Sequence, residues 1–231
     1  MKKPSYLLMD IEGTTTSIDF VHKTLFTYAK NNIQTFLEEH QHDEKVKICL
    51  NEAKKIIQQE GKSANSLNQI IGAMCTWIEA DRKIGPLKTL QGYIWREGYE
   101  TGKYVSHIYE DVFQAFKSWQ ELGIKLGIYS SGSVSAQKLL FAHTEYGDIN
   151  SFLSFYFDTG VGHKRESISY EEISKKLEVE PQKILFLSDI VEELNAANIA
   201  SLSTVHVVRP GTEERGYPNA VSSFTELKFD A

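Results

Sequence analysis

The sequence predicts an α/β fold, a doubly wound parallel sheet with a helical domain inserted after its first strand. Three observations predict it. Five short apolar runs read as buried parallel strands: "YLLM" (6–9), "IKLGIY" (124–129), "FYF" (155–157), "KILFL" (183–187) and "TVHVV" (204–208). Helical patterns follow the second, third and fourth runs, the alternation that builds a parallel sheet. Between the first two runs, the stretch 18–102 shows helical periodicity and almost no strand pattern.

The first strand runs into "DIEGTTT" (10–16), two acids and three threonines around a glycine. In the insertion, Val21, Leu25, Ala29 and Ile33 recur at four-residue steps, and "DEKVKICLNEAKKIIQQEG" and "LNQIIGAMCTWIEADRK" continue the helical pattern, with turns at "GKSAN" and "KIGP". The expected division is a core of 1–17 with 103–231 and a helical domain of 18–102. In "DVFQAFKSWQEL" (111–122), Val112, Phe113, Phe116, Trp119 and Leu122 form one stripe, and Gly123 stands where a helix ends. "SVSAQKLLFAH", "SYEEISKKL" and "VEELNAANIA" supply the helices after the second, third and fourth strands.

Composition narrows the function. With 231 residues, 41% of them hydrophobic, the chain can bury a large core. A net charge of -6 and no Lys/Arg stripe argue against nucleic acid as a partner. Cys49 and Cys75 lack metal or redox spacing and read as reduced thiols, and the apolar run near the N-terminus is too short for a signal or membrane segment. A cytoplasmic protein without a membrane partner is expected. No heptad seam calls for a second copy, so a monomer is expected. Acid-rich faces such as Glu38, Glu39, Asp43 and Glu44 read as solvated helix surface.

In a parallel sheet the residues just past the strand C-termini gather along one edge, where such folds bind ligands. That places Asp10 and Glu12, "SSGS" (130–133), "GHK" (162–164) and "SD" (188–189) together. Ser130, Ser131, Gly132 and Ser133 offer hydroxyls and helix-opening N–H groups to an anion. Lys164 is a point charge suited to phosphate. Asp10 and Asp189 are hard oxygen ligands of the kind magnesium takes beside a substrate phosphate. Each cluster alone has a plainer reading as a helix cap or an exposed side chain. Their recurrence at successive strand ends favours a metal-assisted phosphate site.

These motifs resemble the haloacid dehalogenase superfamily: "DIEGTT" its first motif, "YSSG" its second, Lys164 its third and "LSDIVEE" its fourth. With "LKTLQGYIWREGYETG", "YSSGSVSAQKLLFAHT", "GHKRESISY", "FLSDIVEELNAAN" and "VVRPG", nearly the whole chain is similar to the enolase-phosphatase family, the acireductone synthases of methionine salvage. Glu12 stands where the superfamily usually has aspartate, and the glutamate marks the narrower family.

The resemblance implies a haloacid-dehalogenase-like core with a helical cap, and a magnesium-dependent phosphoric monoester hydrolase with enolase activity. The implied substrate is a small phosphorylated diketone, 2,3-diketo-5-methylthiopentyl 1-phosphate, enolised and dephosphorylated to 1,2-dihydroxy-3-keto-5-methylthiopentene through an aspartyl-phosphate. It implies Asp10, Glu12 and Lys164 as catalytic, Ser130, Ser131, Gly132 and Lys164 as substrate-binding, and Asp10, Glu12 and Asp189 around one magnesium per chain. Glu193 is expected to orient Asp189, to bind a metal water, or to lie solvated. Trp95, Arg96 and Tyr99 are read as substrate contacts or as a packed hinge, and His22 and His107 as structural. The nearest alternative is another phosphomonoesterase of the superfamily without enolase activity. A phospho-accepting regulatory module fits poorly with the long helical insertion.

Overall fold

A computed structural model describes residues 1–229, so the last two residues of the predicted 103–231 segment lie outside the described residues. The chain forms two compact units, Met1–Phe20 with Val105–Ala231, and Val21–Tyr104.

The first unit is built on β1 (Tyr6–Met9), β2 (Lys125–Tyr129), β3 (Leu153–Phe157), β4 (Ile184–Ser188), β5 (Ser203–Val207) and β6 (Ala220–Val221). These pair in parallel in the order β3-β2-β1-β4-β5-β6. The five predicted strands are all present, shifted by no more than a residue or two, because each is a short apolar run, buried in β1, β2, β4 and β5 and half-buried in the edge strand β3. β6 is two residues long, too short to leave an alternation in the sequence.

Within β2, Gly127 is dictated by its neighbour. A Cβ there would lie 2.1 Å from the Phe155 ring on β3, so only hydrogen lets the two strands approach. Leu8, Tyr129, Tyr170, Ile173, Phe186 and Leu194 share one buried apolar cluster in this unit. Helix α5 (Glu110–Glu121) buries Val112, Phe116 and Trp119, and Gly123 follows it at φ +74°, the left-handed turn that lets the chain enter β2. α6 (Val134–Ala142), α7 (Ser167–Leu177) and α8 (Val191–Ile199) complete the alternation.

The second unit is helical: α1 (Thr27–His40), α2 (Glu44–Gln59), α3 (Leu67–Glu79) and α4 (Gly85–Glu100) surround a core of Ile33, Leu37, Ala53, Met74, Trp77 and Leu90. Ser66 and Gln69 cap α3 reciprocally, each side chain bonding the other's backbone N–H. Two details differ from the sequence reading. "KIGP" is not wholly a turn, because Gly85 and Pro86 form the first turn of α4, where the missing proline N–H has no partner to lose. The regular four-residue spacing before α1 also hides a wide π-turn over Phe20–Phe26. Trp95 stacks on Phe26 with ring centroids 6.1 Å apart and donates its indole N–H to the Leu25 carbonyl at 2.8 Å, an anchoring role inside this unit. Among the described residues no helix is long and apolar enough to cross a membrane.

Candidate active site

β1 and β4 are adjacent at the centre of the sheet, and the strand order runs outward in opposite directions from them. Such a switch point opens a crevice at the strand C-termini. β1 delivers Asp10 and β4 delivers Asp189. The Asp10 N–H donates to the Leu187 carbonyl at 3.0 Å, keeping the strand ends in step.

The loop after β1 is a tight knot. The N–H groups of Thr14, Thr15 and Thr16 all donate to the Ile11 carbonyl, at 3.2, 3.0 and 3.0 Å, and the Gly13 N–H donates to the Thr16 carbonyl at 2.8 Å. The three threonines are buried and their hydroxyls tie the loop down: Thr15 donates to the Asp10 carbonyl at 3.1 Å, Thr14 accepts the Asp189 N–H at 3.0 Å, and Thr16 donates to the His107 carbonyl. Gly13 has φ +72°, and a Cβ there would stand 2.5 Å from Asp189 Oδ2. Backbone conformation and the nearby carboxylate both require glycine.

Lys164 reaches into this corner. Its Nζ lies 2.5 Å from Asp10 Oδ1 and 2.7 Å from Glu193 Oε2. Asp10, Lys164, Asp189 and Glu193 are each at most 8% exposed, a concentration of charge that a core would not bury for stability alone. The loop bearing Lys164 is tied by hydroxyls: Tyr170 donates to the Lys164 carbonyl at 2.7 Å, Ser169 to the His163 carbonyl at 2.7 Å and Tyr129 to the Gly162 carbonyl at 3.0 Å.

Glu193 is not solvated. It accepts from Ser188 Oγ at 3.0 Å and pairs with Lys164, so its nearest charged partner is the lysine. Sequence spacing alone reaches only as far as Asp189, one helical turn away.

Ser130, Ser131 and Gly132 form the turn between β2 and α6. The Gly132 N–H donates to Ser130 Oγ at 3.2 Å, and Ser133 caps the helix by accepting the Ala136 N–H at 3.3 Å. Gln137, not singled out from sequence, braces the turn by donating to the Gly132 and Phe157 carbonyls, both at 2.8 Å. Its position inside an ordinary helical pattern carries no signal of that task. Glu12 is half-buried in the β1 loop, bridged to Thr16.

The electrostatics follow from burial. Asp189 is pushed up to about 8, first by desolvation and then by the Asp10 charge, with Lys164 opposing. Desolvation also raises Glu193, again against Lys164. Burial works against the Lys164 charge, yet Asp10 and Glu193 outweigh it and hold the ammonium well above its ordinary range.

Among the described residues no group of three or more His, Cys, Asp or Glu converges to hold a metal, so Asp10, Glu12 and Asp189 are not a closed three-carboxylate cage. What is present is a pair of hard oxygen donors, Asp10 and Asp189, the charge of the first raising the cost of ionising the second. Magnesium commonly uses one or two carboxylates plus substrate phosphate and water, and this donor set fits it.

A pH dependence follows. With its folded value raised from 3.8 to about 8, Asp189 holds a proton in the folded chain that the unfolded chain has lost. Its stabilising contribution is complete below pH 3.8 and disappears as pH rises to about 8. In EDTA, Tm of the wild type minus that of Asp189→Asn is expected to fall by about 4 °C or more between pH 5 and pH 8.5. Magnesium chloride should flatten that slope, because a cation can replace the proton. A slope unchanged by magnesium would contradict this account.

Comparison with known proteins agrees with the geometry. A family model for haloacid dehalogenase-like hydrolases matches residues 5–200. The Enolase-phosphatase E1 of Aquifex aeolicus is 44% identical over 96% of this chain and 98% of its own. That of Drosophila persimilis is 45% identical over 96% of this chain and 93% of its own. Among solved structures, the UTR4 protein of Saccharomyces cerevisiae superposes with a TM-score of 0.82 at 32% identity, covering 97% of this chain and 100% of that one.

Proposed function

Because the chain belongs to the haloacid dehalogenase-like hydrolases and, within them, to the Enolase-phosphatase E1 family, we propose that it acts on 2,3-diketo-5-methylthiopentyl 1-phosphate in methionine salvage. It enolises the diketone and then removes phosphate, leaving 1,2-dihydroxy-3-keto-5-methylthiopentene. The observation that carries this reading is the buried Asp10 carboxylate, held by Lys164 and close enough to Asp189 for its charge to raise that residue's cost of ionisation.

In the hydrolytic half, an Asp10 oxygen attacks phosphorus in line, the bond from phosphorus to the substrate oxygen breaks, and Glu12 gives that oxygen its proton. Glu12 then takes a proton from water as the water oxygen attacks the aspartyl-phosphate, releasing inorganic phosphate and restoring Asp10. Lys164 balances the phosphoryl charge, and the Ser130–Gly132 turn holds the phosphoryl oxygens with its hydroxyls and N–H groups, since phosphoryl transfer depends mainly on position and charge. Asp10 and Asp189 would hold magnesium, with Glu12 kept for proton transfer. When bound, that ion neutralises phosphate oxygens and draws charge onto the substrate's carbonyl oxygen. In the enolisation half, Glu12 removes the proton from the carbon beside the carbonyl. The helical unit, 18–102 in the sequence division, is the cap domain in this reading.

The test is a magnesium-dependent assay on the diketone phosphate that follows phosphate release and enol absorbance together. Phosphate release without any enol intermediate would leave a simple phosphomonoesterase. Glu12→Gln is expected to lower hydrolysis by about 10²–10⁴-fold, the range of a lost general acid–base. Exchange of the carbon-bound proton with solvent deuterium, read by NMR, should fall with it. Unchanged exchange would remove Glu12 from the first step.

A further inference from the structure

We propose that Arg209 is a positioning residue for the active centre: it fixes Thr14 by its carbonyl, Thr14 fixes Asp189 by its hydroxyl, and the affinity for the divalent cation depends on that chain. The inference rests on the reading above in which Asp189 holds magnesium.

Arg209 belongs to the "VVRPG" stretch that follows β5, and the proposed chemistry leaves it without a task. It is only 6% exposed. Its guanidinium pairs with the Asp111 carboxylate, with Nη1 donating to Oδ1 at 3.0 Å and Nη2 in ion-pair contact 2.9 Å from Oδ2, outside hydrogen-bond geometry. Nη1 also donates to the Ser222 carbonyl at 3.0 Å, and the guanidinium carbon sits 4.3 Å from the Tyr109 ring centroid and 5.1 Å from that of Phe224. Asp111 is fixed in turn, accepting the Phe224 N–H at 2.6 Å. With Nη1 held by two acceptors and two rings beside the guanidinium, the planar group has one orientation.

In that orientation Nε donates to the Thr14 carbonyl at 3.2 Å. Thr14 is the residue whose hydroxyl accepts the Asp189 N–H at 3.0 Å, with its own O–H directed at Asp189 Oδ1 over a longer 3.4 Å. One residue therefore receives Arg209 at its backbone and Asp189 at its side chain. Any backbone N–H or water would satisfy a lone buried carbonyl, and burying a guanidinium with its partner is a costly way to do so. What the arginine adds is direction. The placement of Asp189 is thereby coupled to α5 and to the C-terminal segment through Ser222 and Phe224.

The test is isothermal titration calorimetry with magnesium chloride alone, beside substrate kinetics at saturating magnesium. Arg209→Lys, which keeps the charge and loses the planar guanidinium, is expected to weaken magnesium binding about 10–100-fold, the usual cost of losing an outer partner of a metal ligand. KM for the substrate should change little once magnesium is saturating. Ile149→Ala, which opens a cavity at a buried residue outside α5 and outside this chain of contacts, should lower Tm without changing magnesium affinity.

Thr14→Val removes the next link, and the double variant should lose no more affinity than the worse single one. If Arg209→Lys does not fold, Asp111→Asn takes its place in the cycle, because an asparagine still accepts one guanidinium bond. Losses that add, or an Arg209→Lys protein that loses Tm but not magnesium affinity, would overturn the inference. Asp189→Asn separates the two levels. If that variant binds magnesium normally, the reading of Asp189 fails; if it loses magnesium while Arg209→Lys does not, only the Arg209 inference fails.

Discussion

Asp10→Asn is expected to lower phosphate release by about 10⁴-fold or more, as loss of a nucleophile does elsewhere, while the protein still folds. An amide nitrogen or oxygen does not form the acyl-phosphate, so the chemical step loses its first bond. Stability should suffer far less. The amide oxygen still accepts from Lys164, whose second partner, Glu193 at 2.7 Å, is untouched. Removing the Asp10 charge also relieves Asp189, which that charge helps to push upward. Phosphate release and Tm measured on the same preparation check both halves. Turnover comparable to the wild type would show that another group attacks phosphorus.

Lys164→Met should damage both stability and activity. The lysine is the cation shared by Asp10 and Glu193, and its removal leaves two buried carboxylates facing an apolar chain. Removing one partner of a buried ion pair costs about 3–5 kcal/mol, or about 10 °C in Tm at this size. The loss should be greater at pH 8 than at pH 5, because protonation relieves the stranded carboxylates. Adding Glu193→Gln removes one of them and should restore part of the Tm without restoring turnover. Recovery of activity in the double variant would contradict a direct role for the ammonium in the reaction.

Much of this was legible in the chain. The strands could be read because each is a short apolar run between turn or helix signals, and their ends then located Asp10, Ser130, Lys164 and Asp189 by the geometry of a parallel sheet. The structure brings Lys164 onto Asp10 as that reasoning requires. Pairings that cross the fold were hidden. Glu193 sits one turn from Asp189 in sequence, yet its partner comes from the loop after β3, and nothing local announces it. Arg209 looks like any strand-end arginine until α5 supplies Asp111 and the β1 loop supplies the Thr14 carbonyl. The π-turn over Phe20–Phe26 is hidden because one extra residue in a helical turn leaves the apolar spacing almost unchanged.

The absence of a side chain at position 13 also limits how the protein can change. The space a methyl group would need is filled by an oxygen of Asp189, 176 positions later in the chain but 2.5 Å away in space. A directed-evolution library confined to the first loop cannot open that position. Any lineage that trades the glycine must first move a carboxylate encoded 176 codons downstream, so the two codons are tied in the order in which they can mutate.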